Sequence, residues 1–330
     1  MIRKDILIIG LGGMGKKHLN IIEYFKNSIV YCYDSNEDQL NTLKLDKKIK
    51  KILNLNEVKE KIKLAIIATP TDTHLRYAKW CVKNGIHFLI EKPIANKITG
   101  IKKLILDCER KKIIAGVAFP RRHSAAIIEI KERVRNGEIG DLRIIRSNFA
   151  QDFRKYRPDY KSIYYSNAET GGGILMDALS HHINLLCFFG GRVEKVQAIY
   201  DRLVFDDVSV EDSAIINLRF KNGILGSVTG NQFQKPNEDF IELVGTSGNI
   251  KYERITGKLE WFNSKNEKWK SKKIDGNWNK ILMNQEKDFI KCINGKSNIK
   301  TNLNDGLHHL EIILAAKKSF ENNMTVRLKN

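Results

Sequence analysis

Over residues 1–118, short β-branched runs alternate with amphipathic segments. The runs fall at 5–9, 29–33, 64–68, 87–90 and 113–117, and between them residues 14–25 and 73–84 repeat apolar side chains at helical spacing. Strands alternating with helices in this way predict βαβ units on a parallel, doubly wound sheet. Beyond Phe119 the period changes. In residues 213–220, Ile216, Leu218 and Phe220 share one face, the mark of an antiparallel strand covered on one side. Lys221-Asn222-Gly223 turns that run into 224–230 as a hairpin. Further strands are expected at 142–149, 193–200, 240–244 and 249–253, helices at 175–189 and 307–322, and a Lys/Asn-rich surface loop at 263–280. The fold class expected is therefore α/β. A doubly wound domain spans 1–118, and an α+β domain with a large open, mainly antiparallel sheet spans 119–330, its final helix placed to pack back near the first domain.

A chain of 330 residues with 42% hydrophobic content has enough apolar material for two cores. No apolar run approaches the roughly 20 residues that cross a bilayer, so a soluble, unprocessed cytoplasmic protein without a membrane partner is expected. The five cysteines (Cys32, Cys81, Cys108, Cys187 and Cys292) stand singly and in odd number, which argues against both a disulfide framework and a zinc site. A formal net charge of +19 raises the question of nucleic acid. Acids and bases are interspersed, as at 57–63 and 129–135, which is the pattern of solvated helix faces, so no nucleic-acid partner is expected. The positive field would favour an anionic small substrate or cofactor.

The first apolar run delivers the chain into Gly10-Leu11-Gly12-Gly13-Met14-Gly15. Glycines at this spacing permit a tight turn, close approach of backbone to a pyrophosphate and close helix packing, with the helix N-terminus aimed at the phosphates. The pattern is that of a Rossmann domain. Nineteen positions after Gly15, Asp34 ends the second run, where a carboxylate accepts from the adenosine ribose hydroxyls and repels a 2′-phosphate; no arginine follows in Ser35-Asn36, so NAD is favoured over NADP. Ala68-Thr69-Pro70-Thr71-Asp72-Thr73-His74 leaves the third run at the sheet edge where such folds bind ligands. Either this segment touches the nicotinamide ribose, or Thr73 caps the next helix with His74 in its first turn.

The motifs Ala68-Thr69-Pro70-Thr71, His74, Gly85, Glu91-Lys92-Pro93-Ile94-Ala95, Gly171-Gly172-Gly173-Ile174-Leu175-Met176-Asp177, His181, Glu211-Asp212, Gly245-Thr246-Ser247-Gly248 and Asp305-Gly306-Leu307 run through nearly the whole chain. Together they resemble the glucose–fructose oxidoreductase and inositol dehydrogenase (Gfo/Idh/MocA) family. The resemblance implies an NAD(P)-dependent sugar or polyol dehydrogenase, a Rossmann domain beside an open-sheet domain, and assembly as a homodimer or homotetramer. It further implies a catalytic lysine at Lys92, often followed by a cis proline bond, and catalytic Asp177 and His181. Leu179 stands where a glycine is common and Asn184 where an aspartate is frequent, so no relative's substrate carries over directly.

Oxidising a secondary alcohol requires a group near neutrality to take the hydroxyl proton as hydride leaves carbon. Histidine suits this, and Asp177 and His181, four apart, share a helix face with Asn184, whereas His182 is turned about 100° away. His181 is thus the expected acid/base, and His182 a packing residue or a secondary one. Lys92 would stabilise the developing alkoxide, Asp177 orient substrate or lysine, and Asn184 bind another hydroxyl. The expected cofactor contacts are Gly10, Gly12, Gly13, Met14, Gly15, Asp34, Ala68, Thr69, Pro70, His74, Glu91 and Lys92. Those to substrate are Lys92, Arg121, Arg154, Tyr156, Arg157, Asp177, His181 and Asn184. In residues 151–170, Arg154, Tyr156, Arg157, Tyr160, Tyr164 and Tyr165 either stack on sugar rings and hold an anionic group, or cover the sheet. The substrate class is a sugar, sugar acid, amino sugar or nucleotide sugar. The rival reading is a non-catalytic NAD-binding regulator of the same fold.

Overall fold

A computed structural model describes residues 5–22, 28–44, 47–265 and 267–329. The chain divides into two units, Met1–Pro120 with Trp278–Leu307, and Arg121–Asn277 with His308–Asn330.

In the first unit the order is β1 (Asp5–Ile9), α1 (Gly13–Ile22), β2 (Val30–Tyr33), α2 (Glu37–Asn41), β3 (Ile49–Lys51), β4 (Ile62–Ile67), α3 (His74–Lys83), β5 (His87–Glu91), α4 (Ile101–Arg110) and β6 (Ala115–Ala118). All six strands are parallel, in the order β3-β2-β1-β4-β5-β6. The order reverses between β1 and β4, so the binding crevice of such a sheet opens at their carboxyl ends, where Gly10 and Ala68 lie. The central residues of β1, β2, β4, β5 and β6 are apolar and buried because both faces are covered. β3 escapes the hydrophobic pattern: of Ile49, Lys50 and Lys51 only Ile49 is buried. Residues 23–25, expected to continue α1, lie outside the described residues.

The second unit holds α5 (Ala125–Arg135), β7 (Leu142–Asp152), α6 (Phe153–Tyr156), α7 (Ala178–Gly190), β8 (Val193–Asp201), β9 (Ser213–Phe220), β10 (Leu225–Asn231), β11 (Phe233–Gly245), β12 (Gly248–Glu253), β13 (Lys258–Asn263) and β14 (Lys268–Lys273). After α8 (Trp278–Ile293) and α9 (Leu303–Glu321) comes β15 (Val326–Arg327). Nine strands form one sheet, β14-β13-β12-β11-β7-β10-β9-β8-β15, antiparallel except where β10 returns beside β7. Alternate residues of β9 are buried, and Gly223 (φ +87°) makes the turn into β10. α7 packs on β7 and β10. The β10 glycines allow that closeness, since a Cβ at Gly230 would sit 2.6 Å from Leu179 Cδ2 and one at Gly226 3.1 Å from Leu186 Cδ2.

Two expectations change. The stretch 263–280 is not all loop: β14 pairs with β13 along its whole length, with Phe262 and Trp269 in ring contact at 5.6 Å. Every residue of Lys268-Trp269-Lys270-Ser271-Lys272-Lys273 is exposed, so no apolar face marks it as a strand. Its lysine row is the kind of edge that discourages further strand pairing. Second, residues 278–307 group with the first unit rather than with the rest of 119–330. The reason is apolar burial: Phe289, Ile290 and Ile293 of α8, with Ile299, pack against Ile6, Leu64, Ile66 and Leu89 of the parallel sheet. A cleft of about 630 Å³ lies between α4, the start of β6 and residues 295–304, at the opposite edge of the sheet from the glycine loop.

Candidate functional site

In the first unit the glycines of the β1–α1 loop differ in what holds them. A Cβ at Gly10 (φ +94°) would lie 2.6 Å from Ala68 O, and one at Gly15 1.9 Å from Gly10 O, so both positions are fixed by packing. At Gly12 a Cβ would meet nothing within 4 Å. That open cradle, beside the first-turn N–H groups of Gly13, Met14 and Gly15 that have no intrahelical acceptor, fits a pyrophosphate. Asp34 stands at the loop's rim, its Oδ2 accepting from Leu11 N at 2.7 Å and its Oδ1 from Asn36 N at 2.9 Å. Each oxygen keeps a second lone pair for a ribose hydroxyl.

Ala68, Thr69 and Pro70 leave β4 into a short 3₁₀ turn at Thr71–Thr73. The Thr73 hydroxyl donates to Pro70 O at 2.7 Å and makes no cap bond to α3. The His74 ring, 1% exposed, lies 2.9 Å from both Pro93 O (Nδ1) and Thr69 O (Nε2). Burial lowers its pKa below the usual histidine range. His74 therefore staples the chain after β4 to the Lys92–Pro93 turn, whose peptide bond is cis, and its nitrogens are not presented to a cofactor as expected.

Glu91 is likewise turned inward. Its Oε1 lies 2.9 Å from His18 Nε2 and its Oε2 accepts from Lys92 N at 3.1 Å, while His18 Nδ1 lies 2.6 Å from Glu286 Oε1 of α8. His18 is wholly buried. Burial alone would lower its pKa, but the bonds to Glu286 and Glu91 outweigh that and raise it to about 10. An imidazolium, with two N–H donors, satisfies both carboxylates, as a neutral ring could not. Glu91 is thus an anchor for Lys92 rather than a cofactor contact, and Lys92 itself is half-buried at the end of β5.

In the second unit Asp177 is the N-cap of α7 and His181 follows on the helix, half-buried. The approach to α7 is built by Gly173 (φ +87°), where a Cβ would lie 2.4 Å from Glu211 Oε1; the same oxygen accepts from Leu175 N at 3.1 Å. Glu211 is buried, which raises its pKa. Tyr164 donates to Asp177 Oδ1 at 2.9 Å. Asn184 is 2% exposed and its Oδ1 accepts from Arg122 Nε at 2.7 Å, so it is occupied in the interior and is not the expected substrate contact.

Arg121 is also committed. Its two terminal nitrogens bind Asp239, to which Arg254 Nε also donates, and His182 Nε2 stands 3.5 Å from the same carboxylate. Burial would raise the Asp239 pKa, but the Arg121 guanidinium, with Arg254 beside it, holds it far below the carboxylate range. Burial, aided by the Arg121 charge, lowers His182 to about 3, so His182 is a neutral packing residue against Phe149. In residues 151–170 Tyr160 and Tyr165 join a small core with Phe153, Phe205, Val208 and Val210. Arg154 lies over the Phe205 ring and 3.7 Å from Asp207, which also binds Tyr160 and Lys161, so it is not an open fork. Tyr156 is exposed and its hydroxyl accepts from Asn237. Arg157 forms no ion pair among the described residues.

His18, Glu286 and Asp239 were not expected at either site. No local pattern could have revealed the first pair, whose members stand 268 positions apart.

Residues 4–119 match a model described as oxidoreductase family, NAD-binding Rossmann fold, and residues 127–251 match the GFO/IDH/MocA C-terminal domain. The myo-inositol 2-dehydrogenase of Thermotoga maritima is 25% identical, over 98% of each chain. The scyllo-inositol 2-dehydrogenase (NAD(+)) of Bacillus subtilis is 26% identical, over 81% of this chain and 78% of that one. Among solved structures, levoglucosan dehydrogenase in complex with NADH and L-sorbose has a TM-score of 0.87 at 20% identity, covering 100% of both chains. The WlbA dehydrogenase of Bordetella pertussis, in complex with NADH and UDP-GlcNAcA, has a TM-score of 0.84 at 20% identity, covering 100% of this chain and 99% of that one. At these identities the structural likeness speaks for the fold.

Proposed function

The chain belongs to the Gfo/Idh/MocA family of oxidoreductases, and from that premise we propose that it is an NAD-dependent dehydrogenase interconverting a secondary hydroxyl and a ketone on a sugar or sugar derivative. The observation that carries the reading is the cradle at Gly12, open between Gly10 and Gly15, which are both locked by packing, with the Asp34 carboxylate at its rim. The curated relatives named as inositol dehydrogenases support the same reaction class. Asp34 favours NAD, because its charge opposes a 2′-phosphate.

When bound, the nicotinamide supplies the hydride acceptor or donor. His181 takes the hydroxyl proton at a ring nitrogen, or returns it in the reverse direction. The Lys92 ammonium donates to the reacting oxygen and stabilises its developing charge. Asp177, fixed by the Tyr164 hydroxyl, orients the bound molecule. Arg157, without an ion pair among the described residues, and the net charge of +19 favour an anionic or nucleotide-linked sugar. The exposed sheet residues Ile199, Ile215 and Leu225 favour assembly as a homodimer or homotetramer.

The test is NADH appearance, followed by absorbance, with purified protein and NAD or NADP over inositols, levoglucosan, glucose 6-phosphate, free sugars, sugar acids and nucleotide sugars. Turnover that His181→Ala abolishes supports the reading. Tight NAD binding with silence across the panel overturns it in favour of a cofactor-sensing regulator.

A further inference from the structure

We propose that His18 is a positioning residue for this reaction: by bridging Glu286 and Glu91 it holds the backbone of Lys92 and ties the turn that carries the lysine to the helix behind the glycine loop. The inference rests on the reading of Lys92 as the group that meets the reacting oxygen.

Three elements meet at one buried ring. His18 comes from α1, Glu91 from the end of β5 and Glu286 from α8, at 2.9 and 2.6 Å from the two ring nitrogens. Glu91 passes the constraint on, because its other oxygen accepts from the Lys92 amide at 3.1 Å. On the far side of the lysine, Pro93 O is held by the His74 ring at 2.9 Å. Two buried imidazoles, one from the helix after β1 acting through Glu91 and one from the helix after β4, therefore hold the backbone at Lys92 N and at Pro93 O.

Stability alone does not account for the bridge. The surroundings of Glu286 are apolar, formed by Ile6, Leu64, Ile66, Leu89, Phe289 and Ile290. In such a place well-packed hydrophobic residues commonly do as well as a buried ion pair or better, whereas a hydrogen-bonded bridge fixes direction. The direction fixed here is that of the Lys92 backbone. Misplacing a reacting group by about 1 Å costs as much as roughly 10²-fold in rate.

The experiment compares wild type with His18→Gln, both saturated with NAD and held well below their unfolding temperatures. Hydrogen–deuterium exchange is followed in peptides over 88–95 and, as a control in the other unit, over 213–231; kcat and KM are taken with the best substrate of the panel. The expected result is faster exchange over 88–95 with the control unchanged, and a kcat lowered by roughly 10- to 100-fold while KM moves far less. Unchanged exchange over 88–95, or a loosened turn with unchanged kcat, overturns the proposal. If His18→Gln does not fold, Glu286→Gln replaces it, with a smaller increase in exchange expected over the same peptide and no increase overturning the proposal. A Lys92→Ala variant with full turnover would instead remove the parent reading while leaving the exchange result standing.

Discussion

Arg121 holds Asp239 by both terminal nitrogens, at 2.8 and 2.7 Å, around a carboxylate that is 2% exposed. With Arg254 and His182 on the same carboxylate, this is a closed internal cluster. Removing one partner leaves charge buried without compensation, so Asp239→Asn should cost about 3–5 kcal/mol of folding stability. Urea unfolding measures the loss. A variant of ordinary stability with a raised KM would return Arg121 to substrate binding.

His18 sets a pH dependence on the alkaline side. Its folded pKa of about 10 lies above the ordinary histidine value, so the folded state holds the proton more tightly than the unfolded chain. The resulting stabilisation is complete below about pH 6.5 and is lost as pH rises towards 10. Urea midpoints taken from pH 6 to pH 10 should decline more steeply for wild type than for His18→Gln. Parallel declines would mean that the ring does not carry this charge.

Below neutrality the sign reverses at His182. Its folded pKa of about 3 is depressed, so the unfolded chain takes up the proton first and stability falls as pH drops from about 6.5 towards 3. His182→Leu should lessen that fall, as read from urea midpoints between pH 4 and pH 7. An unaltered acid slope would contradict the assignment.

Asp34→Ala should weaken NAD by about tenfold, or about 1.4 kcal/mol, and NADP by less, because the repulsion of a 2′-phosphate disappears with the carboxylate. Some loss for both is expected, since Asp34 also holds Leu11 N. Titration of cofactor fluorescence gives both constants. Equal weakening would take Asp34 away from the ribose.

Lys92→Ala and His181→Ala should each lower turnover by roughly 10²- to 10⁴-fold while NAD affinity changes little. Single-turnover kinetics beside equilibrium binding separates the two quantities. Turnover near that of wild type in either variant would refute its role.

What the sequence disclosed follows from the range of the interactions involved. Gly10 to Gly15 and Asp34 lie within one βαβ unit, where spacing alone carries the geometry. The alternation in β9 announces one covered face, whereas Lys268 to Lys273 conceal a strand because β14 buries neither side. Spacing sets Asn184 on the helix face of Asp177 and His181, and nothing near Asn184 or Arg121 in sequence announces what each side chain binds. Their partners, Arg122 and Asp239, stand 62 and 118 positions away. Glu91 and His74 stand in the expected motifs with their side chains turned to His18 and Pro93 O, since a motif records that a residue matters without recording which way its side chain turns.

Gly12 separates two kinds of constraint that Gly10 and Gly15 combine. A side chain at Gly10 or Gly15 breaks the chain's own packing, while one at Gly12 projects into space that no protein atom claims. A Gly12→Val protein should therefore fold as well as its parent and differ only in what it admits. In a lineage that ceased to use a dinucleotide, folding would exert no pressure on this position, so Gly12 is where abandonment of the cofactor would leave its earliest silent trace.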